Sequence, residues 1–144
     1  MAHKIKYCPV GNGDHSLIIL DDGTIIQVDC NIRQASHDDN QKDCYNVKMD
    51  LLNICKKRDD NYFVDVFILT HGDLDHVRGF EKNYYQGDPA NYAKENQEAN
   101  EIIIDEMWFS PMIAEEHNNT DEEAYQKEAE RISRFARYHS QSQR

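Results

Sequence analysis

The sequence predicts an α/β domain built on a mixed β-sheet with flanking helices, and three stretches carry that expectation. The opening "IKYCPVGNGDHSLIILDDGTIIQVDCN" strings β-branched and apolar runs around glycine turns, the pattern of antiparallel strands. "YFVDVFIL", residues 62–69, is a nearly unbroken apolar run, as expected of a central strand covered on both faces. Between them, Val47, Leu51, Ile54 and Cys55 recur at helical spacing. Strand, helix, strand in that order makes a crossover unit.

In chain order, Asp22-Gly23 marks a hairpin turn, because turns that suit twisted strands need positive φ, which Asp and Gly tolerate. Ser16 to Leu20 should therefore pair antiparallel with Thr24 to Val28. Residues 31–46 are rich in Asn, Asp and Gln and read as a loop. A helix then runs from Val47 to about Arg58, ahead of the central strand. Residues 81–100 form a polar insertion with three tyrosines, Tyr84, Tyr85 and Tyr92, and room for a short helix. The tyrosines are expected to cover a neighbouring core, and Trp108 to lie in it. "EIIIDEMWF" supplies another strand, stopped by Ser110-Pro111. Thr120 with Glu123 forms a capping box for a last helix bearing Ala124, Ala129, Ile132, Phe135 and Ala136. No internal repeat is visible.

Composition narrows the function classes. One hundred and forty-four residues suffice for a single domain, and a formal charge of −11 repels phosphate backbones unless a bound cation reverses the local field. There is no basic patch for nucleic acid. Four cysteines without a C-x-x-C pair, and no leader pattern, read as reduced thiols in a cytoplasmic protein. No apolar stretch nears the roughly 20 residues that span a bilayer.

The chemistry concentrates in "LTHGDLDHVRGF", residues 69–80. At the carboxyl end of a buried strand, the edge where α/β sheets bind ligands, two imidazoles and two carboxylates crowd together. In an extended loop His71, Asp73 and Asp75 alternate to one side, and a tight turn brings His76 round to meet them at one point. Gly72 and Gly79 permit the turns. Imidazole with carboxylate is borderline-hard chemistry that suits Zn²⁺, Mn²⁺ or Fe²⁺. Without a metal the four groups would repel one another where water is scarce.

"THGDLDHVRGF" resembles the first metal motif of the metallo-β-lactamase superfamily, His-x-His-x-Asp-His after a buried strand, with Asp73 at the third position in place of histidine. That substitution is similar to the ComEC-like branch of DNA-uptake competence proteins, with Arg78 where the branch has a glycine. "PVGNGDHSLIILDDGTIIQVDC" is similar to the same branch's opening. The resemblance implies the amino-terminal half of a four-layer αββα sandwich. It assigns His71 and Asp73 to a first metal ion, and Asp75 and His76 to a second, with zinc foremost and manganese or iron as alternatives. Asp75 would also serve proton transfer, and Asp14 and Asp29 would support the site from neighbouring strands. Capping of its own glycine turn is an equal alternative for Asp14.

The implied function is a metal-dependent hydrolase that cleaves phosphodiester or ester bonds in a small molecule, nucleotide or nucleic acid through a metal-activated water. Acidic composition argues against long polyanions. The family's second half, with its Thr-Gly-Asp and His-His-Gly-Ser-like segments, is not found in residues 1–144. The expectation is therefore an incomplete domain, its sheet covered by a missing carboxyl-terminal half, a partner chain or a second copy. The alternative is an inactive or truncated domain serving as a metal- or protein-binding, regulatory module. His37, Asp38, Asp39, His117 and His139 read as solvated loop and tail residues rather than ligands. No Ser-His-Asp set, phosphate loop or nucleophilic Cys-His pair can be read.

Overall fold

The computed structural model describes residues 2–34 and 44–109. Within them lie a six-stranded mixed sheet and four helices, an α/β architecture as the sequence predicts. Strands β1 (Lys4–Tyr7), β2 (Ser16–Ile19) and β3 (Ile25–Val28) form the antiparallel meander, with Ser16 opposite Val28 and Ile19 opposite Ile25. At the hairpin only Gly23 takes positive φ; Asp22 acts instead through its carboxylate, which accepts from the Thr24 N–H at 2.8 Å. A two-residue strand β4 (Cys30–Asn31) follows, and then helix α1 (Val47–Ile54), whose N-terminus Asn46 caps by accepting from the Met49 N–H.

Helix α1 ends four residues before the expected Arg58. Lys56–Arg58 form strand β5, which folds back on β6 (Asn61–Leu69) with Arg58 opposite Asn61. Asp59 and Asp60 make the two-residue turn, both at positive φ (51° and 64°), the geometry whose twist matches a hairpin. Strand β7 (Ile102–Phe109) completes the sheet. Val66 pairs with both Ile26 and Glu106, and Tyr62 with both Lys57 and Ile102, so both edges of β6 are occupied and β3 and β5 share one of them. That makes β6 the central strand, parallel to β3 and to β7.

Helices cover one face. Leu17, Ile25, Gln27, Phe67 and Leu69 project to that side and are buried. Helix α2 (Leu74–Val77) leads to α3 (Phe80–Asn83), and Phe80 and Tyr84 pack edge-on against Phe67 at 5.3 and 5.5 Å between ring centres. Each such ring removed from water contributes about 1.5–3 kcal/mol. Lys6 of β1 pairs with Asp50 of α1, which places that helix on the same side. Beyond α3 the insertion holds a 3-10 turn at Pro89–Asn91 and helix α4 (Lys94–Glu98), and Tyr85 meets Tyr92 edge to face.

The opposite face is apolar and unevenly covered, with Val64 and Ile104 buried on it. The registers line up Tyr7, Ile5, Ile18, Ile26, Val66, Ile68 and Trp108 on it. Tyr7 is 77 %, Ile5 61 % and Trp108 50 % exposed, so Trp108 is not the core residue expected. No helix among the described residues is long and apolar enough to cross a membrane. The capping box at Thr120 and the helix after it, like the stop at Ser110-Pro111, fall outside the described residues.

Two stability predictions follow from this packing. Asp60→Gly should raise stability by about 1 kcal/mol in urea unfolding, since glycine adopts positive φ without the Cβ penalty; a loss would mean that the Asp60 side chain stabilises the turn. His15 is 3 % exposed, neither ring nitrogen has a hydrogen-bond partner among the described residues, and burial pulls its pKa from 6.5 down to about 4, against the attraction of Asp50 and Asp29. The unfolded chain takes up this proton near pH 6.5 and the folded chain only near pH 4, so the contribution is fully present above pH 6.5 and is lost as pH falls across that window. The loss is on the order of 3 kcal/mol. His15→Leu should flatten the stability profile there; an unchanged slope would assign it to carboxylates instead.

Candidate metal centre

The centre forms where the parallel strands β3 and β6 end. Asp29 directly follows β3, and Thr70 directly follows β6. The Asp29 N–H donates to the Ile68 carbonyl at 2.9 Å. Its buried carboxylate accepts the Thr70 N–H on Oδ1 at 2.8 Å and the Thr70 hydroxyl on Oδ2 at 2.6 Å. Asp29 holds a left-handed backbone, φ 56°, a conformation that costs a non-glycine residue about 1–2 kcal/mol and that aspartate tolerates better than most.

Helix α2 delivers His76 to the same carboxylate. His76 is buried, with Nδ1 2.9 Å from Asp29 Oδ2. An ionised carboxylate only accepts, so Nδ1 carries the hydrogen and Nε2 is turned away from Asp29. Nε2 lies 3.6 Å from Asp75 Oδ2. His71 repeats the device. The Thr70 hydroxyl gives its hydrogen to Asp29, so at 2.9 Å it accepts from His71 Nδ1, and His71 Nε2 lies 3.7 Å from Asp73 Oδ2. The two rings touch, 3.5 Å between centres.

The four motif residues are thus arranged as two histidine–carboxylate pairs in contact, where the sequence suggests a single meeting point. The difference has a local cause. Asp73 precedes the first residue of α2 and Asp75 lies inside that helical turn, so they do not alternate as they would along an extended loop. The His76 N–H closes the turn on the Asp73 carbonyl at 2.8 Å.

Asp14 reaches the site from the glycine turn after β1. Its exposed carboxylate lies 3.7 Å from His76 Nδ1, and its N–H donates to the Asp75 carbonyl at 3.3 Å. Gly13, φ 126°, makes this docking possible: a Cβ there would lie 1.9 Å from Asn31 Nδ2 and 2.5 Å from the Asp75 oxygen. Buried Asn31 in turn donates to the Asn12 carbonyl at 2.7 Å. Asp14, Asp29 and His76 are the one group among the described residues with three ligand atoms within 4.8 Å of one another, and such a trio can hold a metal ion. Asp29 Oδ2 and His76 Nδ1 are already hydrogen-bonded to each other, however, so a cation there must displace that hydrogen.

A buried polar chain continues inward. Gln27 donates from Nε2 to the Asp29 carbonyl at 2.9 Å, and the Tyr84 hydroxyl donates to Gln27 Oε1 at 2.8 Å. Full burial pushes the Tyr84 phenol well above its ordinary pKa, so it stays a donor. Thr70, Gln27, Asn31 and Tyr84 escape a reading of the motif alone. Gln27 did leave a signal, a polar residue at an inward position two after Ile25. His37, Asp38, Asp39, His117 and His139 lie outside the described residues.

No family model matches the chain, and neither a curated protein nor a solved structure matches it.

Thr70→Val keeps side-chain shape and removes the hydroxyl that links Asp29 to His71. It should cost about 1–2 kcal/mol in urea unfolding. Unchanged stability would show that the Thr70 hydroxyl does not hold Asp29 and His71 together.

Proposed function

We propose that the chain carries a metal-dependent hydrolase centre of the metallo-β-lactamase type, for phosphodiester or ester substrates. The observation that supports it is the paired geometry: each imidazole is held at Nδ1 from behind and turns Nε2 toward a carboxylate. Metal-binding histidines are oriented in this way, their second nitrogen donating to a carboxylate, a backbone carbonyl or water; here Asp29 takes that place behind His76 and the Thr70 hydroxyl behind His71. The donor set fits a borderline-hard divalent ion, zinc foremost, manganese or iron next. His71 and Asp73 would hold one ion, and Asp75 and His76 a second. A bound cation would supply Lewis acidity and make an attacking water more acidic. The chain's own residues do the rest. Asp29 and Thr70 keep both rings in one orientation, and Asp75, with its side chain 45 % exposed beside His76 Nε2, accepts the proton from the nucleophile. Asp14, beside them, borders the approach.

The apolar sheet face fits the same reading, in which a second half, a partner chain or another copy packs against it. None of the four cysteines forms a disulfide, in keeping with a reducing, cytoplasmic setting. A second reading, a metal- or protein-binding module without turnover, is favoured by the donor count. Four ligands shared by two ions leave each short of the four donors that zinc takes.

Elemental analysis tests the centre: wild type should retain zinc or manganese, and His71→Ala with His76→Ala should not. Equal metal content would remove the centre. With a chromogenic phosphodiester, Asp75→Asn should lower kcat at least about a hundredfold relative to wild type. Full activity in Asp75→Asn would take the residue out of the mechanism, and a metal-loaded wild type without turnover would establish the second reading.

A further inference from the structure

The chain's net charge is −11, yet one cavity, of about 700 Å³, gathers positive charge. It opens between α1, the loop after β4 and the α2–α3 segment, and Lys48, Arg78 and Lys82 border it with a single carboxylate, Glu81. Ile32 and Leu52 give it an apolar side. We propose that this cavity binds a small phosphorylated molecule, at a site separate from the metal centre and independent of any ion there.

Three observations carry the proposal. Lys48 is 8 % exposed, and its ammonium reaches the carbonyl oxygens of Asn83 at 3.3 Å and Asn100 at 2.5 Å. A buried ammonium held by carbonyls alone is under-compensated. Burial brings its pKa down to about 8 against the attraction of groups that include Glu101, and an oxyanion in the cavity would add to the compensating charge. Lysine as a mere crosslink between the end of α3 and the Asn100 turn would explain Lys48. It would not explain Arg78 and Lys82, which form no ion pair among the described residues although acidic side chains outnumber basic ones 27 to 16. The size also fits, since small-molecule sites occupy about 300–1,000 Å³.

The charge balance selects the ligand class. Three cations against one carboxylate leave a net charge of two, which matches a phosphate dianion better than a lone carboxylate. A guanidinium adds a planar donor fork suited to phosphate oxygens. The apolar side would take the remainder of the molecule.

Calorimetric titration of the whole chain with inorganic phosphate, in excess EDTA, tests this. Saturable one-to-one binding is expected, at least about tenfold tighter than acetate. Arg78→Gln and Lys82→Gln, both side chains reaching solvent, should each weaken it about tenfold or more, the effect of one charge-assisted hydrogen bond. Urea unfolding confirms that both variants fold. His71→Ala should leave phosphate affinity unchanged. Absence of saturation, equal affinity for acetate, or indifference to both cavity substitutions overturns the proposal; loss of binding in His71→Ala also overturns it, by placing the anion at the metal centre. Failure of the hydrolase reading would leave these outcomes unaffected.

Discussion

The Asp29 carboxylate is buried where β3, β6 and α2 meet, and the groups around it are donors: the Thr70 amide, the Thr70 hydroxyl and His76 Nδ1. A buried carboxylate lacking such donors would cost several kcal/mol, so the three must stay in place together for the fold to accept it. That requirement joins the ends of two strands from opposite sides of the α1 crossover. It also sets the ring orientation of His76 directly, and that of His71 through Thr70. Even the backbone strain at Asp29 is tolerable for this reason, because aspartate accepts positive φ and the hydrogen bonds exceed its cost.

Around this anchor the domain is asymmetric. Helices α1 and α3 bury one sheet face, with Phe67, Phe80 and Tyr84 as its aromatic centre. The other face leaves Tyr7, Ile5 and Trp108 largely exposed. Alternation along a strand forces this choice: with period two, residues that do not face the helices face the other side together, whatever covers them.

Much of the fold was legible in the residues because its signals are local. The Ser16–Val28 hairpin follows from a turn dipeptide between β-branched runs, and β6 from an apolar run too uniform for an edge. The start of α1 at Val47 follows from its apolar spacing. The reading failed at Lys56–Arg58, three polar residues with no strand pattern of their own. They are strand because Asp59 and Asp60 both turn left-handed and β6 offers them an edge, and a pairing partner is not a property of the segment that pairs. Trp108 failed similarly: its residue type argued for burial, but its register placed it on the open face.

At the site, the sequence by itself determined which groups are available: two imidazoles and two carboxylates in six positions after the central strand, with Asp14 and Asp29 earlier in the chain. Side-chain chemistry and short spacing are properties of the linear chain. Only the tertiary structure decided how they are used. Asp75 follows Asp73 in a helical turn rather than an extended loop, with the Asp75 carbonyl docked against Gly13 and the Asp14 N–H. Which nitrogen each histidine turns outward depends on Asp29 and Thr70, the first of them more than forty positions from His71 and His76. The Asp29 contacts join the ends of neighbouring strands more than forty positions apart, and no local propensity encodes a hydrogen bond between residues that only folding makes neighbours.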